Sequence, residues 1–248
     1  MSNMNPYSSG VDGVTYGNAA IYADETDRLA FIRRTYTHLS GAVFAFLALE
    51  VVLFTTVPAA TMDALVQRMM GGYGWLLVLG AFMAVSWMAR SWASSGQSRG
   101  LQYAGLGLYV VAEAVIMLPM MYLAIRVMGQ PQIPILAGII TTLTFAGLTG
   151  FVMFTRVDLA SWGTYLFVGG LIAMGIMVCG IFFGFSLGLF FSAAMVALAC
   201  GYILYDTSNV LHHYDTRQHV AASLALFASV ALLFYYVLRI LIAFSSND

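Results

Sequence analysis

Three carboxylic acids stand inside long apolar stretches of this chain: Glu50, Glu113 and Asp206. At membrane depth a carboxylate costs about 3 kcal/mol or more unless it is protonated, paired or facing water, so each marks a place where protons or cations could be handled. Glu113 is either a proton-exchanging acid on a pathway or a protonated acid hydrogen-bonded to a neighbouring helix. Glu50 falls nearer the end of its run, where snorkelling or local water would satisfy it. Asp206 closes the stretch Gly201-Tyr202-Ile203-Leu204-Tyr205-Asp206-Thr207-Ser208-Asn209. Arg90 ends another run, Ser86-Trp87-Met88-Ala89-Arg90, and a guanidinium can hold a carboxylate through two hydrogen bonds. An Asp206–Arg90 latch is one reading of these charges, and two independent interfacial charges is the other.

His212, His213 and His219 cluster with Asp215 and Arg217 just beyond Asp206. Imidazoles titrate near pH 6.5, about where a pH-responsive loop would work, although a solvated polar loop accounts for them equally well. Adjacent His212 and His213 do not make a tetrahedral ligand set, and no HExxH, GxSxG, Walker-type or dinucleotide motif appears. Neither enzyme activity, a resident metal nor a cofactor is expected. Cys179 and Cys200 both lie in apolar runs, where a thiol serves as a small packing group.

The elements that position these residues follow from composition. Hydrophobic residues make up 61% of the chain and charged residues 8%, against about 25% charged in a soluble domain. A helix needs about 20 apolar residues to cross hydrocarbon. Seven runs of that kind occur: Tyr36–Val57, Gly74–Trp92, Gln102–Ile125, Ile133–Phe154, Trp162–Phe182, Phe185–Asn209 and Ala221–Phe244. Runs such as Leu166–Phe183 are apolar on every face, which excludes the alternating pattern of barrel strands. The expected fold is an all-α membrane protein. A polar N-terminal tail spans residues 1–35, the helical domain 36–244, and a short C-terminal tail 245–248. Glu113 then falls about 17 Å along its helix, near mid-membrane.

No signal peptide is evident before the first run, so that helix is expected to remain as an anchor. All ten basic residues are Arg. With seven crossings and a cytoplasmic N-terminus, Arg28, Arg33, Arg34, Arg90, Arg99, Arg156 and Arg217 lie inside, and Arg68, Arg126 and Arg239 lie outside. That asymmetry follows the positive-inside tendency. A net charge of −1 speaks against nucleic-acid binding and against a broad polybasic lipid-binding patch.

Three local patterns carry a resemblance: Phe31-Ile32-Arg33-Arg34-Thr35-Tyr36, Thr155-Arg156-Val157-Asp158-Leu159-Ala160, and Tyr202–Asn209, with Pro119 as a weaker match. Their order within a seven-span chain resembles the Bax inhibitor family, also called transmembrane Bax inhibitor motif proteins, from about residue 31 onward. The resemblance implies a seven-helix bundle with the last helix surrounded by the other six. It also implies a pH-sensitive calcium leak, gated in bacterial relatives by two hydrogen-bonded carboxylates on spans six and seven. Asp206 matches the first by its Tyr-Asp context. Anchoring the last span on Tyr236-Val237-Leu238-Arg239 puts the second at Ser229, or at Val230 if the gap is placed elsewhere. Either way the second carboxylate is missing. Asp206, Ser229, Arg90 and Glu113 are therefore the candidate pathway or gate. Calcium or protons are the candidate ions, with no tight calcium site, because a dehydrated calcium ion wants six to eight oxygens. The competing reading is a non-transporting regulator of a membrane complex, such as a membrane-anchored protease. Its contact would be the N-terminal tail, rich in Tyr and Asn.

Overall fold

The computed structural model describes residues 19–95, 98–184 and 186–246. A single turn at Ala20–Tyr22 leads into eight α-helices: α1 Glu25–Thr56, α2 Ala59–Met70, α3 Gly74–Ala93, α4 Arg99–Tyr122, α5 Gln132–Thr155, α6 Trp162–Phe183, α7 Leu189–His212 and α8 His219–Ser245. All but α2 are long and apolar enough to cross a membrane, as the hydrophobic runs require. Most of the N-terminal tail, residues 1–18, lies outside the described residues, as do Phe185, where the sixth run was expected to start, and the last two residues of the C-terminal tail.

Helix α1 begins eleven residues before the expected span. Its first turns are charged, with Glu25 and Asp27 at the positive end of the helix dipole, so hydropathy hides a segment that is nonetheless helical. With 32 residues, α1 is about 48 Å long, well beyond the ~30 Å of hydrocarbon, and Arg28, Arg33 and Arg34 ride on the part that projects. One stripe of α1 is buried: Phe31, Thr35, Leu39, Ala42, Phe46 and Glu50, at steps of three and four. Phe46 inserts between Phe227 and Phe234 of α8, with both ring centroids 6.3 Å away.

Helix α8 packs against α1, α3, α4, α5 and α7. It is the most buried of the seven long helices: 56% of its most apolar window is covered, against 11–50% in the others. Helix α6 sits outside, on α7, and meets α8 at Met177, whose sulfur accepts from the Tyr236 hydroxyl at 3.5 Å. Five of the six long helices thus flank the last one closely.

Close approach depends on glycine at two interfaces. A Cβ on Gly105 of α4 would sit 2.5 Å from the Ala89 carbonyl oxygen of α3, and one on Gly170 of α6 would meet the Tyr202 hydroxyl at 2.7 Å. Pro119 lies inside α4, which continues as a π-helical turn over Leu123–Val127. The ring removes a backbone donor and disturbs the i→i−4 ladder just ahead of that turn.

The two ends of the bundle differ in chemistry. At one end, the segment before α1 pairs with the α7–α8 connection, the Ala20 N–H donating to the Tyr214 carbonyl at 2.9 Å. Burial pushes the Tyr214 hydroxyl up to about 12, so it stays neutral in this joint. At the other end, Arg126 donates to the Phe54 carbonyl at 3.2 Å and Ser245 donates to Gln130. The described N-terminal residues and Ser245 therefore lie at opposite ends.

Candidate functional site

The stretch Tyr202–Ser208 turns each polar group toward a different neighbour, because successive residues on a helix point about 100° apart. Tyr202 donates to the Leu166 carbonyl of α6 at 2.8 Å. Asp206 faces α8, where the Ser229 hydroxyl donates to its Oδ2 in a short hydrogen bond. Thr207 lies 3.5 Å from Thr149 of α5. Ser208 clamps the α5–α6 connection, donating to the Val157 carbonyl at 3.1 Å and accepting from the Leu159 N–H at 2.8 Å.

That connection is shaped by Arg156, the one non-glycine with positive φ (52°) among the described residues. Its left-handed backbone ends α5 with the Arg156 N–H on the Val152 carbonyl, and it turns Asp158 toward α7. Asp158 accepts from His213 at 3.0 Å and from the Ala160 N–H at 3.0 Å. The hydrogen bond from His213, followed by the one from Ala160, holds the Asp158 carboxyl below its ordinary range. A carboxyl depressed in the folded state stabilises above its unfolded value of about 3.9, and that contribution is lost as pH falls through the folded value. Loosening of this joint is therefore expected only below about pH 4, and Asp158→Asn should remove that acid-side step. Limited proteolysis of the α5–α6 connection across a pH series reads it.

The three histidines do not act as one cluster. His212 bonds the Ser208 carbonyl at 2.9 Å, closing the last turn of α7, and His213 holds Asp158. His219 opens α8 and packs on His38 of α1, ring centroids 5.0 Å apart. His38, which the sequence reading passed over, also bonds the Tyr103 hydroxyl at 3.1 Å. Its signal was legible: it is the one histidine at the start of the first apolar run.

The Arg90–Asp206 latch is not formed. Among the described residues the only ion pair is His213–Asp158. Helix α3 packs on α4, whereas α7 packs on α5, α6 and α8, so Arg90 meets α4 first: its guanidinium carbon lies 5.6 Å from the centre of the Tyr109 ring. It remains near enough to Asp206 and Glu113 to act on both through space.

Glu113 is 5% exposed and its Oε2 has no hydrogen-bond partner. Glu50 departs from expectation. It is 3% exposed, both of its oxygens are buried without a partner, and it belongs to the inward stripe of α1 rather than to an interface. Helices α1, α4 and α8 run in the same direction from the layer of His38, Tyr103 and His219. Counting from that layer, Glu50, Glu113 and Ser229 all lie about 15–18 Å deeper, at one level of the bundle. Among the described residues no group of three His, Cys, Asp or Glu side chains converges as a metal-ligand set, and both cysteines are free thiols.

Residues 28–246 match the family described as "Inhibitor of apoptosis-promoting Bax1". The chain belongs to the Bax inhibitor family. It is 25% identical to mouse Protein lifeguard 4 over 245 residues, covering 95% of this chain and 94% of that protein. It is 33% identical over 109 residues to the Escherichia coli Modulator of FtsH protease YccA, covering 44% of this chain and 49% of that one. Bax inhibitor 1 of Schizosaccharomyces pombe is 30% identical over 114 residues, covering 44% of this chain and 42% of the yeast protein.

Proposed function

We propose that this Bax inhibitor family protein is a cation-permeable membrane protein of the leak type, passing calcium or protons, with Asp206 and Ser229 as its gate. The observation that carries this reading is the buried level of polar groups: Asp206 bonded to Ser229, and Glu50 and Glu113 with unpartnered oxygens at similar depth. Carboxyl groups without partners in an apolar bundle are costly, and a pathway gives that cost a use. A single carboxylate with one hydroxyl and nearby carbonyls suits a hydrated cation in passage rather than a held one. Arg90, near both Asp206 and Glu113, would set the field that an entering cation meets.

Ion flux from purified protein in liposomes tests the reading. Wild type should pass calcium or protons above the rate of empty liposomes, and Asp206→Asn should cut that flux by roughly tenfold or more, as loss of a pathway charge implies. Flux equal to empty liposomes across the pH range would reject it.

A second reading rests on the relative named as a modulator of FtsH protease: a regulator that binds a membrane-anchored protease in the same bilayer. Co-reconstitution with such a protease, reading its cleavage rate with and without this chain, decides that one.

Both readings use the same topology, an inner membrane protein with a cytoplasmic N-terminus. Seven of ten Arg then face the cytoplasm. Single cysteines placed at Asp158 and at Ser246 in a Cys-free background should label from opposite sides, Asp158 from the cytoplasm. Labelling from one side would reject seven crossings.

A further inference from the structure

Between α1 and α4 runs an open groove of about 640 Å³, well away from Asp206. Its walls are apolar, with Gly41, Ala45 and Leu49 on α1 and Leu106 and Gly107 on α4, and its mouth carries His38 and Tyr103. The volume falls in the range of about 300–1,000 Å³ typical of ligand pockets. From Thr37 to Val52 it extends about 22 Å along α1, more than the ~15 Å of one leaflet's hydrocarbon but short of the ~30 Å that a crossing helix would need.

The mouth is cationic. Arg34 stands one turn before His38 on α1, and Arg99 one turn before Tyr103 on α4, so each lies on the face of its helix that leads to the entrance. Both are exposed, both lie within electrostatic reach of His219, and among the described residues neither is paired with a carboxylate.

We infer that this groove is a binding site for an anionic phospholipid, one acyl chain lying between α1 and α4 and the phosphate meeting Arg34 and Arg99. A guanidinium suits a phosphate because its planar fork donates two parallel hydrogen bonds, and Gly41, Ala45, Ala48 and Gly107 leave room for a chain between the larger apolar side chains. The site is separate from the proposed pathway, and its test measures binding rather than flux.

Full-length protein in detergent is titrated with phosphatidylglycerol or phosphatidylcholine of the same acyl chains, and bound lipid is read by native mass spectrometry. Wild type should hold phosphatidylglycerol roughly tenfold more tightly, as two Arg near an anionic headgroup imply. Arg34→Gln with Arg99→Gln should erase that preference and leave the residual binding common to both lipids. Gly41→Leu and Gly107→Leu should each displace both lipids, whereas Gly175→Leu on α6 should displace neither. A Cβ at any of these three glycines meets nothing within 4 Å, so each new side chain starts in open space, and an unchanged melting temperature in detergent checks that each variant folds. Equal affinity of wild type for the two lipids overturns the inference, as does a preference that survives the Arg or the Gly substitutions. A dimer that Gly41→Leu breaks, in protein that retains neither lipid, would give the groove to a second copy and overturn it too.

Discussion

Ser229→Asp is expected to convert the contact between α7 and α8 from an ordinary hydrogen bond into a proton-sharing carboxylate pair, and to make ion flux steeply pH-dependent. In the wild type the Ser229 hydroxyl donates to Asp206 Oδ2, and its oxygen lies 3.3 Å from the Ala225 carbonyl one turn earlier on α8. That hydroxyl offers no second charge, so Asp206 titrates without like-charge repulsion. A carboxyl group at position 229 would stand within hydrogen-bond reach of Asp206, and two such groups lose their protons in separate steps spaced by more than about one pH unit. Between those steps the pair holds one shared proton and bridges the two helices. Above the second step two negative charges repel across the interface. Flux from liposomes at several pH values, for wild type, Ser229→Asp and Asp206→Asn, reads the change. Identical pH profiles for wild type and Ser229→Asp in equally folded protein would sink the assignment of this contact as the gate. A strong wild-type pH response that persists in Asp206→Asn would move the gate to Glu113 or to the histidines.

The long helices were legible because a span needs only a run of apolar residues, and six of the seven long helices both start and end within a few residues of such a run. The exceptions have physical causes. Helix α1 opens with eleven residues that hydropathy reads as polar tail, although Glu25 and Asp27 in the first turn favour a helix there. Helix α2 carries Asp63, Gln67 and Arg68 in 12 residues, too short and too polar to register as a span, and it is held from the side by Tyr122 donating to Asp63. The juxtaposition of Asp206 with Ser229 came from the family resemblance, through the register of Tyr236–Arg239, and the structure places those two side chains together. Arg90 shows where reasoning along the chain stops. Matching depth and opposite charge made a latch with Asp206 reasonable, but which neighbour a side chain meets first is a property of packing, and Tyr109 of α4 receives the guanidinium instead. The histidines show the same limit, since three neighbours in sequence diverge onto Ser208, Asp158 and His38.

Glu50→Met is expected to make the bundle more stable and the pathway less active. Both Glu50 oxygens are buried without a partner, and the side chain stands one turn beyond Phe46 on the stripe of α1 that faces the core. Methionine has nearly the same length and volume and removes the two unsatisfied acceptors, so the gain should be about 1–3 kcal/mol. For a chain of this size that corresponds to a rise in melting temperature of several degrees. Glu50→Gln keeps the shape and leaves polar atoms buried, so it should give little of that gain. Natural bundles keep a destabilising group when activity depends on it, and here the loss should appear as reduced flux in Glu50→Met at unchanged lipid and protein content. Thermal unfolding in detergent, followed by flux in liposomes, separates the two effects. A melting temperature that falls in Glu50→Met would mean that water or another group already satisfies the carboxyl. A raised melting temperature with undiminished flux would take Glu50 off the pathway, and Glu113 would then be the buried acid through which an ion reaches Asp206.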